Sequence, residues 1–194
     1  MEARLKVENV NLTGQGVARD ADGNVYFIPG AIPGDEVVAR ADADQGRYRD
    51  AELVEIVTPS PERVESVCAT FKECGGCDWL DWDYNGQVRG KETMLRHVFE
   101  RSAFAPGRFL PALRAKSPLG YRNRIQLRAE AGRMGFYRRR SHDIVDTESC
   151  PVAHPRINEA LTELRSEGVA HPGRTKIELA LEENGNVLRL ENRE

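Results

Sequence analysis

The first 57 residues alternate apolar and polar side chains in short runs that turn signals separate. The dipeptide Asp22-Gly23 lies between a run at residues 17–19 and a run at residues 25–28, which is a strong hairpin signal. Pro-Gly pairs at residues 29–30 and 33–34 mark further turns before apolar runs at residues 37–39 and 53–57. Together with the run at residues 5–10, these segments predict five short strands. Strands at this density predict a small β-barrel that closes its own edges.

Residues 58–82 lack this pattern and contain two prolines, three cysteines and the pair Gly75-Gly76. A loop of this length without a hydrophobic pattern requires another organiser. Residues 85–103 then predict a helix, because Val88, Leu95, Val98 and Phe99 lie near helical spacing.

The remainder of the chain is rich in strand signals. Between residues 122 and 128, polar and apolar side chains alternate, so Arg122, Arg124, Gln126 and Arg128 share one predicted face. Further strands are predicted at residues 132–138, 175–182 and 187–190, and a helix at residues 155–167. We therefore expect a β-rich, α+β fold. Its predicted parts are a barrel at residues 1–58, a cysteine loop and helix at 59–105, and a strand-rich domain at 106–194.

The charge of the chain is distributed unevenly. The 194 residues include 28 Lys and Arg and 31 Asp and Glu, for a net charge of -3. Residues 84–140 nevertheless carry a net charge of +11, between an N-terminal part at -9 and a C-terminal part at -5. This centre predicts attraction of a polyanion, and the alternative is a solvated surface neutralised by its acidic neighbours.

The sequence predicts a protein of the reducing cytoplasm. No run approaches the ~18 apolar residues of a membrane span, and the start of the chain lacks a secretory signal. We therefore expect no membrane partner. In a reducing compartment, cysteines are more often metal ligands or catalysts than disulfides.

The chain has four cysteines, at positions 68, 74, 77 and 150. Four thiolates suit a 4Fe-4S cluster or a zinc ion. Structural zinc usually takes two local Cys-x2-Cys pairs, whereas this chain has one pair, one nearby cysteine and one remote cysteine. The spacing therefore favours iron–sulfur, with zinc and unrelated buried thiols as alternatives. A structural role, in which the metal joins the loop to the strand-rich region, is favoured over electron transfer.

These motifs give the chain a family resemblance. It resembles the N-terminal part of RNA (uracil-5-)-methyltransferases that use S-adenosylmethionine. Residues 14–19 and 27–35 are similar to their TRAM domain, an OB-like barrel that binds RNA. Residues 68–77 resemble their iron–sulfur loop, and residues 82–84, 117–118, 121–124, 135–137, 141–142 and 150–151 follow in the family's order. Asp78-Trp79 departs from relatives that often carry a glutamine there. The resemblance implies Cys68, Cys74, Cys77 and Cys150 as ligands of a 4Fe-4S cluster.

The catalytic parts of such an enzyme are missing from the sequence. Methylating C5 of uracil requires a cysteine that adds to C6 and a base that removes the C5 proton. All four cysteines are assigned to the metal site, and no glycine-rich turn between a strand and a helix is present to hold S-adenosylmethionine. We therefore expect S-adenosylmethionine binding only in a missing C-terminal domain, separate or deleted, and no activity from this chain alone.

RNA, either ribosomal or transfer RNA, is the expected partner. Arginines suit phosphate because the planar guanidinium donates paired hydrogen bonds, and an aromatic ring can stack on an unpaired base. Solvated side chains or internal salt bridges are the alternative for this set. Two other functions stay open, a small iron–sulfur electron carrier and a zinc-stapled RNA-binding module. The predicted RNA contacts are Arg122, Arg124, Arg128, Phe136, Arg138, Arg139 and Arg140.

Overall fold

The computed structural model describes residues 1–41, 48–100, 102–104, 106–168 and 173–193. The chain divides into two compact units. Unit 1 comprises Met1–Ser66 and Asp78–Arg114, and unit 2 comprises Val67–Cys77 and Ala115–Glu194. The division of the sequence into three predicted parts stays a prediction.

Unit 1 contains the barrel that the turn signals predict. Its strands are β1 (Glu2–Val10), β2 (Gly16–Arg19), β3 (Val25–Ile28), β4 (Glu36–Ala41) and β5 (Tyr48–Thr58). They close in the order β1-β2-β3-β5-β4, in which the β3–β5 pairing is parallel and the other pairings are antiparallel. Alternate side chains fill the interior, among them Val7, Ile28 and Val37. The predicted barrel and the β-rich α+β class are both confirmed.

A buried carboxylate joins the barrel to the segment that follows it. The side chain of Asp35 is fully buried and accepts hydrogen bonds from the backbone N–H groups of Ile32 and Ser60, each at 2.8 Å. The Arg63 guanidinium donates to both Asp35 oxygens, at 2.9 and 2.7 Å, and pairs with Asp81 as well. A buried charge is tolerated when it is paired and hydrogen-bonded in this way.

The helix α1 (Tyr84–Glu100) also belongs to unit 1. Two of its glycines lie against Trp82, since a Cβ on Gly86 would stand 2.1 Å from Trp82 Nε1 and one on Gly90 would stand 2.5 Å from the ring. Val88 is buried as the helical spacing predicts, whereas Leu95 is exposed. Within the described ranges, no helix combines the length and the apolar character that crossing a membrane demands.

Unit 2 is a five-stranded antiparallel sheet with one helix on its apolar face. The sheet has the order β10-β9-β6-β7-β8. The helix is α2 (Pro155–Ser166), and its Ile157, Leu161 and Leu164 pack with Leu127 and Ile177. The strands are β6 (Arg124–Glu130), β7 (Arg133–Tyr137), β8 (Ile144–Asp146), β9 (Thr175–Leu181) and β10 (Val187–Arg193). The short strand β8 was not predicted.

The strand β6 begins two residues later than the alternation predicts. Arg124, Gln126 and Arg128 share the polar face, as expected, but Arg122 precedes the strand. The Arg122 backbone donates to the Val152 carbonyl at 2.8 Å and accepts from the backbone N–H of His154 at 2.8 Å. The prediction that Arg122 shares the face of β6 is therefore wrong, because its backbone groups pair with residues 152–154.

Candidate metal centre and nucleic-acid interface

All four cysteines belong to unit 2, although 72 residues lie between the third and the fourth. Cys68, Cys74 and Cys77 lie in the segment 67–77, which we call the cysteine loop, and Cys150 lies shortly before α2. Each is a half-buried thiol that forms no disulfide. In the part of the chain that the structure describes, no three His, Cys, Asp or Glu side chains form a group that could hold a metal ion.

The cysteine loop is attached to the end of β7 by hydrogen bonds. The Gly75 N–H donates to the Tyr137 carbonyl at 2.9 Å, and the Arg139 N–H donates to the Glu73 carbonyl at 3.4 Å. The side chains of Arg138 and Glu73 form an ion pair at 2.7 Å. A Cβ on Gly75 would lie 3.1 Å from the Arg139 Cα, so only glycine fits this approach without displacement. The sequence of the loop thereby fixes where three of the thiols lie.

Cys150 is held by a side chain of α2. Asn158 accepts a hydrogen bond from the Cys150 N–H at 2.9 Å and donates one to the Cys150 carbonyl at 3.0 Å. The helix itself starts with His154, whose ring nitrogen Nδ1 accepts from the Arg156 N–H at 3.2 Å as an N-cap. The capped first turns of α2 therefore position the fourth thiol.

The thiols influence one another electrostatically. The pKa of Cys77 is raised to about 11, mainly by burial; Arg122 opposes the rise, and the other three cysteines add to it. Burial also raises the pKa of Cys74, and Cys68 and Cys150 add to this rise. The Gly76 N–H, 3.4 Å from the Cys74 sulfur, and Arg139 act in the opposite direction. The four thiols thus share one environment, in which ionising them together requires added positive charge.

Two of the arginines predicted to contact RNA are engaged by the cysteine loop. Arg138 pairs with Glu73, and the Arg139 guanidinium donates to the Cys77 carbonyl at 2.8 Å. Arg140 follows them with a left-handed backbone, φ 54°, and is exposed. These three therefore divide into two residues that hold the loop and one that faces solvent.

Of the remaining predicted RNA contacts, Arg124 and Arg128 lie on β6 and Phe136 lies on β7, whereas Arg122 precedes β6. Arg124 forms an ion pair with Glu178, yet 60% of its side chain remains exposed. The Cζ atom of Arg128 lies 5.2 Å from the centre of the Tyr137 ring. Phe136 is partly buried and packs against the apolar core, and its contact with RNA stays a prediction. Alternation along β7 places the neighbouring ring of Tyr137 on the polar face instead.

Sequence reasoning missed two cations on this face. Lys176 belongs to β9, and Arg174 lies directly before that strand. The sheet register sets Lys176 directly opposite Arg128. The Arg174 Cζ lies 5.8 Å from the centre of the Tyr137 ring. The alternation from residue 175 onward predicts the strand, but only the pairing of β9 with β6 shows which residues adjoin it.

Comparison with known proteins gives a family match at the barrel and relatives over most of the chain. The TRAM domain model matches residues 2–54. An uncharacterized RNA methyltransferase of Thermosynechococcus vestitus is 34% identical over 166 residues, which cover 83% of this chain and 37% of that protein. An uncharacterized RNA methyltransferase of Bdellovibrio bacteriovorus is 32% identical over 95% of this chain and 47% of its own length.

Two further proteins carry more specific names. A 23S rRNA (uracil(1939)-C(5))-methyltransferase of Halomonas elongata is 34% identical over 84% of this chain and 35% of its own length. The crystal structure of Pyrococcus abyssi tRNA (uracil-54, C5)-methyltransferase, bound to S-adenosyl-L-homocysteine, superposes with a TM-score of 0.64 and 24% identity. That match covers 96% of this chain and 44% of the archaeal chain, and it shows a shared fold. The chain spans less than half the length of each of these relatives.

Proposed function

The chain belongs to the RNA methyltransferase family, and from this premise we propose that it is the RNA-binding, 4Fe-4S-bearing portion of a uracil C5 methyltransferase. The TRAM match and the names of the relatives support RNA as the ligand. Uracil C5 as the position modified rests on the names of the Halomonas and Pyrococcus proteins. The observation that supports the cluster is that four cysteines from two distant parts of the chain lie in one unit, where the other three act electrostatically on Cys77.

The four thiols fit an iron–sulfur cluster by number and by surroundings. Zinc requires every sulfur at about 2.3 Å from one ion, whereas each thiolate of a 4Fe-4S cluster binds a different iron atom. Hydrogen bonds to the sulfurs are characteristic of cluster sites, and the Gly76 N–H and the Thr70 hydroxyl lie 3.4 and 3.6 Å from the sulfurs of Cys74 and Cys68. When bound, the cluster supplies a cross-link between the cysteine loop and Cys150.

Cationic side chains near the thiols favour the charged form that ligation demands. Burial raises the pKa of both Cys77 and Cys74, but Arg122 opposes the rise at Cys77 and Arg139 opposes it at Cys74. Because a thiol must lose its proton to bind metal, positive charge beside it supports loading. We assign Arg122, Arg138 and Arg139 first to this site, and Arg124, Arg128 and Arg140 to RNA contact.

Methyl transfer itself requires parts that we assign elsewhere. With Cys68, Cys74, Cys77 and Cys150 bound to a cluster, no cysteine of this chain is left to attack the uracil ring. We infer that the nucleophile and the S-adenosylmethionine site belong to the portion of the relatives that this chain does not span. The 194 residues would then bind and position ribosomal or transfer RNA without transferring a methyl group.

The first experiment is anaerobic purification with iron, sulfide and zinc analysis and a visible spectrum. We expect about four irons per chain and broad visible absorption. Cys150→Ala removes one ligand and should lose both signals, whereas the matched control Ser149→Ala, at an exposed neighbouring position, should keep them. One zinc without iron would overturn the cluster and leave a zinc-stapled RNA-binding module. Absence of any metal would overturn the metal site.

RNA binding is tested on the same protein by titrating a labelled RNA at several salt concentrations. Phosphate contacts release counterions, so the affinity should fall steeply as salt rises. An affinity for RNA too weak to measure at low salt, in a protein that carries its cluster, would favour the electron carrier over the RNA-binding portion.

A further inference from the structure

One face of the unit 2 sheet carries a compact group of cationic and aromatic side chains. It consists of Arg128, Tyr137, His142, Arg174 and Lys176, which we call the arginine–tyrosine patch. Its centre is the Tyr137 ring. The Cζ atoms of Arg128 and Arg174 lie 5.2 and 5.8 Å from the ring centre, and the His142 ring packs edge-on with a centroid distance of 5.1 Å.

Three separate segments build the patch through the sheet register. Arg128 projects from the polar face of β6, and antiparallel pairing sets Lys176 of β9 directly opposite. On β7, the residue opposite Arg128 is Gly135. Tyr137 lies two residues after Gly135, so the side chain of Tyr137 is on the same face as that of Arg128. The opposite face of the same strands is apolar and packs against α2. The patch is therefore a built feature of the sheet, with side chains preset by cross-strand contacts.

The charge of the patch is positive. Arg128, Arg174 and Lys176 contribute three cations, and the adjoining carboxylate, Glu130, pairs with Arg174 at 2.8 Å. Farther along β6, the polar face continues through the exposed residues Gln126 and Arg124, both of which pair with Glu178 of β9, so the cations of the whole face still outnumber its two carboxylates. A face of this kind complements a polyanion that also presents flat surfaces for stacking.

We propose that the arginine–tyrosine patch binds an unpaired RNA strand. Unpaired bases stack on aromatic rings and on guanidinium planes, whereas paired bases are already stacked in a duplex. Arg128 held over the Tyr137 ring offers a guanidinium whose position is fixed before RNA arrives, which reduces the entropy lost on binding. Lys176 beside it supplies a mobile ammonium suited to a phosphate.

This inference rests on the RNA binding proposed above and locates it on one face of one unit. The sequence offers Phe136 and a run of arginines as candidates without distinction. The structure separates Phe136, which is partly buried and packs against the core, from Tyr137, which lies in the patch. It also adds Arg174 and Lys176 from a part of the chain outside the basic centre.

The test measures RNA binding by the full chain and by single variants with fluorescence anisotropy. The probes are a labelled oligouridine and the same strand annealed to oligoadenosine. Arg128→Gln and Tyr137→Leu are expected to weaken binding of the single strand by about fivefold or more. Lys176→Gln is expected to reduce the slope of log affinity against log salt by about 0.7. Arg156→Gln, an exposed arginine on α2, is the matched control and should bind like the wild type.

The outcomes separate this inference from the function on which it rests. Failure of the wild type to bind either probe would overturn both. If Arg128→Gln and Lys176→Gln weaken binding no more than Arg156→Gln does, the patch is overturned as the binding site. RNA would then bind elsewhere on the chain. Equal affinity for duplex and single strand would overturn the assignment to an unpaired strand. Circular dichroism and iron content, measured on each variant, show that the variants are folded and loaded.

Discussion

The barrel and the cysteine loop reach order by different physical means. In the barrel, closed strand pairing surrounds a core whose Val7, Ile28 and Val37 are almost or entirely removed from water. In the cysteine loop no residue is buried, and Val67 remains 64% exposed. Burial of apolar surface is the dominant favourable contribution to folding. The barrel therefore carries its own stabilisation, whereas the loop depends on hydrogen bonds, ion pairs and whatever its thiols bind.

The ion pairs of the two regions differ in the same way. Arg63 and Asp35 lie at 2.7 Å with side chains 14% and 0% exposed. Arg138 and Glu73 also lie at 2.7 Å, but their side chains are 46% and 56% exposed. Equal distances therefore correspond to unequal contributions to stability. Water screens the exposed pair, whereas in the buried pair each charge depends on the other for compensation.

Loss of the metal site is expected to have the largest effect, and to have it on the loop. Cys150→Ala removes the remote ligand, so residues 67–77 should lose most of their protection from hydrogen exchange, because few contacts of their own remain. The barrel strand Val25–Ile28 should keep its protection. Hydrogen exchange with mass spectrometry measures both segments in one experiment.

Ser149→Ala is the control for that substitution, since it alters the neighbouring position and no thiol. Equal exchange of residues 67–77 in Cys150→Ala and in the wild type would show that the loop is ordered by its hydrogen bonds alone. The contrast between the two regions would then be one of burial only.

The buried ion pair of unit 1 gives the next largest effect. Asp35→Ala leaves the Arg63 guanidinium without its buried partner, which should reduce the free energy of unfolding by about 3–5 kcal/mol. Glu73→Ala breaks the exposed pair of the cysteine loop and should cost less than about 1 kcal/mol. Urea unfolding followed by tryptophan fluorescence reports the first variant, since Trp79 and Trp82 both lie in unit 1.

Circular dichroism serves for Glu73→Ala, because the 2 tryptophans of the chain both lie outside unit 2. A comparable loss of stability in the two variants would contradict the difference argued from exposure. It would mean that the exposed Arg138–Glu73 pair stabilises unit 2 more than its exposure to water indicates.

Local sequence patterns predicted the barrel for physical reasons, and they also grouped the four cysteines, whose role as ligands stays a prediction. The Asp22-Gly23 turn and the alternation on either side of it are satisfied within one hairpin, so no distant residue has to be known. The four cysteines could be grouped because no other cysteine competes for the role. Both inferences use information contained in short segments or in a small set of residues.

The parts that escaped prediction depend on pairing between distant segments. Arg122 was placed on a strand, but its backbone bonds to residues 152–154. Phe136 and Tyr137 are adjacent aromatic residues, and only the packing of the core shows that Phe136 is the one that lies against it. Lys176 meets Arg128 through the register of β9 with β6. Each of these facts follows from tertiary contacts that a single sequence does not reveal.

The smallest expected effect concerns pH and a partly exposed ion pair of unit 2. Arg165 of α2 donates to Asp146 at 2.7 Å and to the Met134 carbonyl at 3.1 Å, so it joins the helix to β8 and β7. The hydrogen bond from Arg165 lowers the pKa of Asp146 below its ordinary value of 3.8. A carboxylate with a lowered pKa contributes stability that is complete above the unfolded pKa. That stability is lost as the pH falls through the folded value.

The pair should therefore add its full contribution to the stability of unit 2 at about pH 6 and lose it at a lower pH, below the folded pKa of Asp146, which itself lies under 3.8. The contribution should stay below about 1 kcal/mol, because the Asp146 side chain is 41% exposed. Asp146→Asn should lower the urea midpoint, followed by circular dichroism, at the higher pH and match the wild type at the lower pH. A difference that persists at acidic pH would assign the effect to the hydrogen bonds of the side chain, since its charge is absent there. The Arg165–Asp146 pair would then resemble the buried Arg63–Asp35 pair of unit 1, in which hydrogen-bond geometry contributes more to stability than the screening of charge by water does.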